Sequence, residues 1–293
     1  RLVFMYRHGG SGRGVRILNR YDPASRTWSR LMVEPMFDGE DERNAYPNGP
    51  KRGPDGWFHV HWVWRLNPDC ATNHYLSYAR SRDLIHWESA FGDAIDLPIR
   101  IDQKSLVVDP IPSGGGIING GHRMLFDANQ KPILAYHKSD DQGNMQIYLA
   151  RPHDGQWQRR AITQWKKPVP FSGRGSMEFI GIRIGAFQWL EPDVLAISYR
   201  HKDYGSGTLH VDAESFQPVE TPASKPPELP RSLRRVTSDF PGMQIRRAHD
   251  PGEAQAEGTR YLLQWETLGA NHDQPRQPPL PKPSTLRVHK LVK

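Results

Sequence analysis

Along most of the chain, apolar and polar residues alternate with the two-residue period of an extended strand, in runs broken by Gly, Pro, Asn and Asp. Candidate strands are "RLVFMYR" (1–7), "VRILNRYD" (15–22), "WFHVHWVWR" (57–65), "HYLSYARS" (74–81), "PILAYHKS" (132–139), "MQIYLAR" (145–151), "VLAISYR" (194–200) and "TRYLLQWE" (259–266). No fifteen-residue window keeps apolar positions at helical spacing, and the 26 Gly and 26 Pro punctuate the chain too often for long helices. The pattern predicts an all-β protein.

One run is unusual. In "HVHWVWR" (59–65) the alternation puts Val60, Trp62 and Trp64 on one face and His59, His61, Val63 and Arg65 on the other. The first face reads as core. The second carries two imidazoles and a guanidinium, and predicts a face that looks into a wet cleft.

The strands also recur with a beat: a strand, a polar turn, a second strand, then a turn containing Asp that leads to a Trp. "RILNRYDPASRTW" ends at Trp28, "YLSYARSRDLIHW" at Trp87 and "IYLARPHDGQW" at Trp157, and these three indoles are expected to pack blades together. A repeated antiparallel unit of roughly 40 to 50 residues implies a β-propeller of about six or seven blades, with seven preferred, occupying residues 1–293 as one domain. Two β-sandwiches are the structural alternative.

Composition narrows the function classes. No run of 18 apolar residues exists, so no membrane segment is expected. The net charge of +7 favours a polyanionic partner, yet Lys and Arg are scattered and neither zinc-finger nor helix-turn-helix spacing occurs, so no nucleic-acid partner is expected. The single cysteine, Cys70, excludes an intramolecular disulfide framework and a multi-cysteine metal site. His59 and His61 share a strand face, but no Cys or carboxylate at suitable spacing completes a zinc shell, and no cofactor is expected, with a structural ion elsewhere left open. The opening "RLVFMYRHGG" begins inside a strand pattern with no signal-peptide layout, and reads as a processed or trimmed start.

Five segments together resemble the BNR-repeat, sialidase-like propeller family, in the group that includes ulvan lyases and rhamnose-glucuronate lyases. They are "YRHGGSGRG" (6–14), "HWVWRLNPDCATNHYLSYARSRDLIHW" (61–87), "PILAYHKSDDQGNMQIYLAR" (132–151), "FSGRGS" (171–176) and "WETLGANHDQPRQPPLPKPSTLRVHKL" (265–291). The repeat's Asp box is degenerate: "SRDLIHW" keeps Ser81, Asp83 and Trp87 but lacks the Gly and is one residue short. That box is a turn-and-packing element, so it does not imply sialidase activity.

The resemblance implies a polysaccharide lyase that cleaves a glycan of uronic acid and rhamnose by β-elimination. Such a reaction needs a base for the proton α to the carboxylate, a cation for that carboxylate, and an acid for the leaving oxygen. By resemblance, Tyr136, Arg151 and His74 are the catalytic candidates. A second catalytic histidine falls to His61, with His59 and His122 competing for the role. Strands lining a propeller channel would add Arg7, His8, His59, Arg65, Asn73, His122 and His137 as substrate-binding residues. The alternatives are a glycoside hydrolase of the same propeller type that releases rhamnose from glucuronate-linked ends, and a non-catalytic carbohydrate-binding propeller. A secreted or periplasmic monomer acting on an acidic polysaccharide or oligosaccharide is expected.

Overall fold

A computed structural model describes residues 2–220, 229–249 and 259–292. Arg1, the first residue of the strand expected at 1–7, lies outside them. The chain forms two compact units, one of Arg1–Arg174 with Phe179–Thr221 and one of Gly175–Glu178 with Pro222–Lys293.

The first unit holds four antiparallel sheets. Sheet 1 is β1 (Leu2–His8), β2 (Val15–Asp22) and β3 (Thr27–Arg30), with β4 (Phe37–Asp38) also paired to β2. Sheet 2 runs β5 (Asn44–Arg52), β6 (Phe58–Arg65), β7 (Asn73–Ser81), β8 (Trp87–Glu88) and β9 (Ala94–Ile95), with β10 (Val107–Asp109) on β7. Sheet 3 is β11 (Arg123–Phe126), β12 (Pro132–Ser139), β13 (Met145–His153) and β14 (Gln156–Ala161). Sheet 4 is β15 (Ile182–Glu191), β16 (Val194–His201) and β17 (Gly205–Asp212). The second unit contains β18 (Met243–His249), β19 (Thr259–Leu268) and β20 (Arg287–Val292). Among the described residues there is no α-helix, only three single turns of 3-10 helix, and no helix is long and apolar enough to cross a membrane.

The sheets are propeller blades of an all-β fold, four in the first unit and one in the second, so that five are found among the described residues where seven were expected. Counting repeats by length overestimated them because long connections, such as 162–181 between β14 and β15, spend residues outside strands.

Within the first unit consecutive sheets stack face to face. Val60, Trp62 and Trp64 of β6 pack with Leu18 and Phe37 of sheet 1 and with Met36 just before β4, and the Phe37 and Trp62 rings meet edge-on with centroids 4.8 Å apart. Val63 joins Leu134 and Tyr136 of sheet 3. Ile133 and Ala135 of β12 turn the other way, onto Ile182, Ile184, Leu195 and Ile197 of sheet 4. Each fully buried aliphatic or aromatic side chain in these layers contributes roughly 1.5–3 kcal/mol.

This stacking overturns the expected wet face of β6. Both faces are buried, with His59 fully enclosed and His61 and Arg65 nearly so. A strand with mixed faces looks half-solvated in isolation. In a blade, both faces meet neighbouring blades, and polar side chains survive there by pairing with one another.

The degenerate Asp box closes its turn with the atoms it retains. Ser81 Oγ accepts from the Leu84 N–H at 2.8 Å, Asp83 Oδ1 accepts from the Ile85 and His86 N–H groups at 2.8 Å each, and buried Trp87 donates to Leu84 O. Trp87 and Trp157 are core residues as expected, whereas Trp28 is 47% exposed on the short edge strand β3, against Phe4 and Tyr21.

Candidate active site

The β1–β2 hairpin places Arg7 directly opposite Arg16, a like-charged pair that costs stability unless something else compensates. Both guanidinium carbons lie over the ring of Tyr46 on β5, at 5.9 and 5.7 Å from its centroid, and Arg65 at the end of β6 approaches the same ring at 5.2 Å. Arg7 also donates to the Tyr46 hydroxyl at 3.2 Å, and Ser11 Oγ lies 2.5 Å from that oxygen. Among the described residues none of these three arginines has a carboxylate at ion-pair distance.

The fold holds the cations in place through carbonyl oxygens. Arg16 Nε donates to Ala45 O at 3.0 Å. Arg65 Nε donates to Asn67 O and Asp69 O at 3.0 and 3.2 Å, and its Nη2 to Pro68 O, so the guanidinium organises the turn that follows β6. Burial, then the neighbouring Arg7 charge, lower the Arg16 pKa to about 10. Burial pushes the half-buried Tyr46 hydroxyl up, but the Ser11 hydrogen bond and the Arg65 and Arg7 charges outweigh it, and the net displacement is downward.

A second polar layer lies behind this one. Asn119 Oδ1 accepts from Arg65 Nη1 at 3.4 Å and from Asn73 Nδ2 at 3.1 Å. Asn48, two residues along β5 from Tyr46, donates to His122 O, and the Nδ1 atoms of His122 and His61 are 2.6 Å apart. His137 Nδ1 donates to Gly116 O at 2.8 Å, and its Nε2 lies against Gly121, beside His122. Burial drives all three imidazoles toward the neutral form, His122 to about 3, His137 to about 4 and His61 well below its ordinary value. Among the described residues no group of three or more His, Cys, Asp or Glu is placed to hold a metal ion.

Of the residues expected from the sequence, Arg7 and Arg65 face Tyr46, Asn73 joins Arg65 through Asn119, and His61, His122 and His137 form a separate buried cluster reached from β5 through Asn48. The others lie elsewhere. His8 is exposed at the end of β1. His59 bridges the Tyr78 hydroxyl at 2.6 Å and Asp55 at 2.9 Å. Nearly buried His74 bonds Thr72 O at 2.9 Å.

Tyr136 is fully buried, and its hydroxyl donates to Asp109 Oδ2 at 2.6 Å; burial and that carboxylate raise its pKa well above the ordinary range. Arg151 ties sheet 3 to the turn after β17, donating to Ala213 O at 3.0 Å and Glu214 O at 2.5 Å over the Phe216 ring. His74, Tyr136 and Arg151 thus have separate partners on separate strands, because neighbouring positions on a blade strand face opposite neighbours. Tyr46, Ser11, Arg16 and Asn119, which the structure adds to this cluster, are not among the residues expected from the sequence. The usable signal was the alternation Asn44, Tyr46, Asn48, hidden by Pro47 and Pro50 in the same strand.

Fold and site together define a β-propeller that presents an arginine-flanked phenol. Residues 1–165, more than half of the chain, match the BNR repeat-containing family, and the chain belongs to that family. No curated protein matches the sequence. Two solved structures of an ulvan lyase, from a new family of polysaccharide lyases, superpose with TM-scores of 0.58 and 0.56 at 12% and 11% identity, the second bound to a glucuronic acid and sulfated rhamnose oligosaccharide. Each alignment covers 99% of this chain and 61% of that one, so the chain spans about three fifths of the lyase's length. A Hadza microbial sialidase aligns at a TM-score of 0.46, 15% identity, over 86% of this chain and 47% of that one. At these identities the likeness speaks for the fold alone.

Proposed function

We propose that the protein is a polysaccharide lyase acting on a uronic-acid-containing glycan, with Tyr46 as the proton-transferring group. The observation that carries this reading is a phenol oxygen bonded by Ser11 and Arg7 amid three arginines, none of which, among the described residues, has a carboxylate at ion-pair distance. A uronate carboxylate supplies the missing anion. Its approach to Arg7 and Arg65 spreads the negative charge that develops as the α proton leaves.

The bonds then balance as follows. The C5–H electron pair forms the C4–C5 double bond, the C4–O bond breaks, and the proton taken by Tyr46 passes to the departing oxygen. The neutral, buried His61, His122 and His137 make the wall of the site rather than its acid. The common glycosidases use two carboxyl groups flanking the bond, whereas among the described residues the bonds to the Tyr46 hydroxyl come from Ser11 and Arg7 and no carboxylate lies at ion-pair distance from the three arginines. The ulvan lyase's bound glycan supports glucuronate and sulfated rhamnose as the substrate class, and a secreted protein is consistent with such a polymer.

The test is incubation with ulvan, glucuronan and gum arabic, followed by ultraviolet absorbance. Lyase action yields an unsaturated uronate that absorbs, whereas hydrolysis and simple binding do not. Reducing ends released without that absorbance, or no release from any uronate glycan, would overturn the proposal.

A further inference from the structure

The β1–β2 connection, "GGSGRG" (9–14), is more than a flexible link. Gly9, Gly12 and Gly14 all adopt positive φ, and Gly12 is seated so closely on the turn after β6 that a Cβ there would stand 2.5 Å from Asn67 Cα and 2.8 Å from Leu66 O. Only glycine permits both that φ of 83° and that approach. The seating belongs to the turn that Arg65 organises through its carbonyl bonds. One residue earlier, Ser11 is half-buried with its hydroxyl on the Tyr46 oxygen.

We infer that Ser11 is a positioning residue for Tyr46, its hydroxyl donating to the phenolate and turning to accept once that oxygen carries a proton, with the Gly12 seat fixing its distance. This rests on Tyr46 being the proton-transferring group. A serine hydroxyl rotates freely and is both donor and acceptor, so one side chain serves both states of the cycle. Arg7, which also reaches the oxygen, can only donate, and its charge favours the phenolate over the phenol. The charged groups facing Tyr46 are Arg7 from β1, Arg16 from β2 and Arg65 from β6, and Ser11 is the neutral partner that follows the proton.

The experiment is a spectrophotometric tyrosine titration of the intact protein, with the Tyr46→Phe variant subtracted to isolate one phenol, alongside the pH profile of uronate-glycan cleavage. Ser11→Ala should move the Tyr46 midpoint up by about one pH unit, because a hydrogen bond to the ionised form is lost. The acid limb of the activity profile should move up with it, and Ser11→Thr should restore both. Gly12→Ala should act in the same direction by lifting the hairpin from Asn67; if it fails to fold, the Ser11 variants still decide.

An unchanged Tyr46 midpoint in Ser11→Ala would overturn the inference. A midpoint that moves while cleavage keeps its profile would uphold the Ser11 contact and reject Tyr46 as the reacting group. The two failures are thereby told apart.

Discussion

The Nδ1 atoms of His61 and His122 stand 2.6 Å apart, a hydrogen bond that requires one of the two nitrogens to be bare. Both rings lie within the blade interface, and burial holds His122 to about 3 and His61 well below its ordinary 6.5. The unfolded chain accepts protons near 6.5 that the folded protein refuses until far lower pH. Folding is therefore favoured most above about pH 6.5, and each such histidine removes about 1.4 kcal/mol of stability per pH unit as pH falls from there toward its folded value. Thermal melts from neutral pH downward should show a steady fall in Tm beginning near that pH. A melting temperature flat to about pH 4 would contradict this account.

Arg151 should matter to stability and not to chemistry. Its guanidinium caps two carbonyls, Ala213 O and Glu214 O, and covers Phe216. Arg151→Ala should lower stability by about 1–3 kcal/mol through the lost charge-assisted bonds, with cleavage per folded molecule retained. A large fall in turnover at unchanged Tm would return Arg151 to the catalytic set.

The strands that sequence periodicity revealed are those whose faces stay regular: β2 and β12 span the expected 15–22 and 132–139. β5 was not legible, because Pro47, Gly49 and Pro50 read as a turn, yet Pro47 pairs with Trp62 in the sheet and a register shift between Asn48 and Lys51 absorbs the rest. The site follows the same division. Polar residues on regular strands, such as His61 and Arg65, were visible as candidates, whereas Tyr46 sits on the concealed strand and Ser11 and Asn119 in glycine-rich loops. Resemblance pointed to Tyr136, Arg151 and His74, but a position along the chain carries no information about which blade interface encloses a side chain.

In the proposed lyase Arg65 would join stability to recognition, so replacing it separates charge from shape. Lysine keeps the positive charge but cannot span the carbonyls of Asn67, Pro68 and Asp69 while also facing the Tyr46 ring. Arg65→Lys should therefore lower Tm and reduce kcat/KM by about 10² or more, since the cation no longer sits where carboxylate charge develops. Full activity in Arg65→Lys would show that the site needs only diffuse positive charge.

The choice between two tyrosines is the sharpest test. Tyr136→Phe removes a donor from Asp109, which keeps Lys138 Nζ at 2.7 Å and Arg159 at 3.5 Å, so the buried carboxylate remains paired. The expected result is a stability loss of about 1–3 kcal/mol with turnover retained. Tyr46→Phe keeps a ring beneath the three arginines and removes only the oxygen held by Ser11 and Arg7. It should fold normally and lose turnover by about 10² or more, because proton transfer by a placed side chain contributes that much. Measuring Tm and uronate-glycan cleavage for both variants decides the matter: lost turnover in Tyr136→Phe with full activity in Tyr46→Phe would transfer the chemistry to the sheet 2 and sheet 3 interface and require that interface to open for substrate.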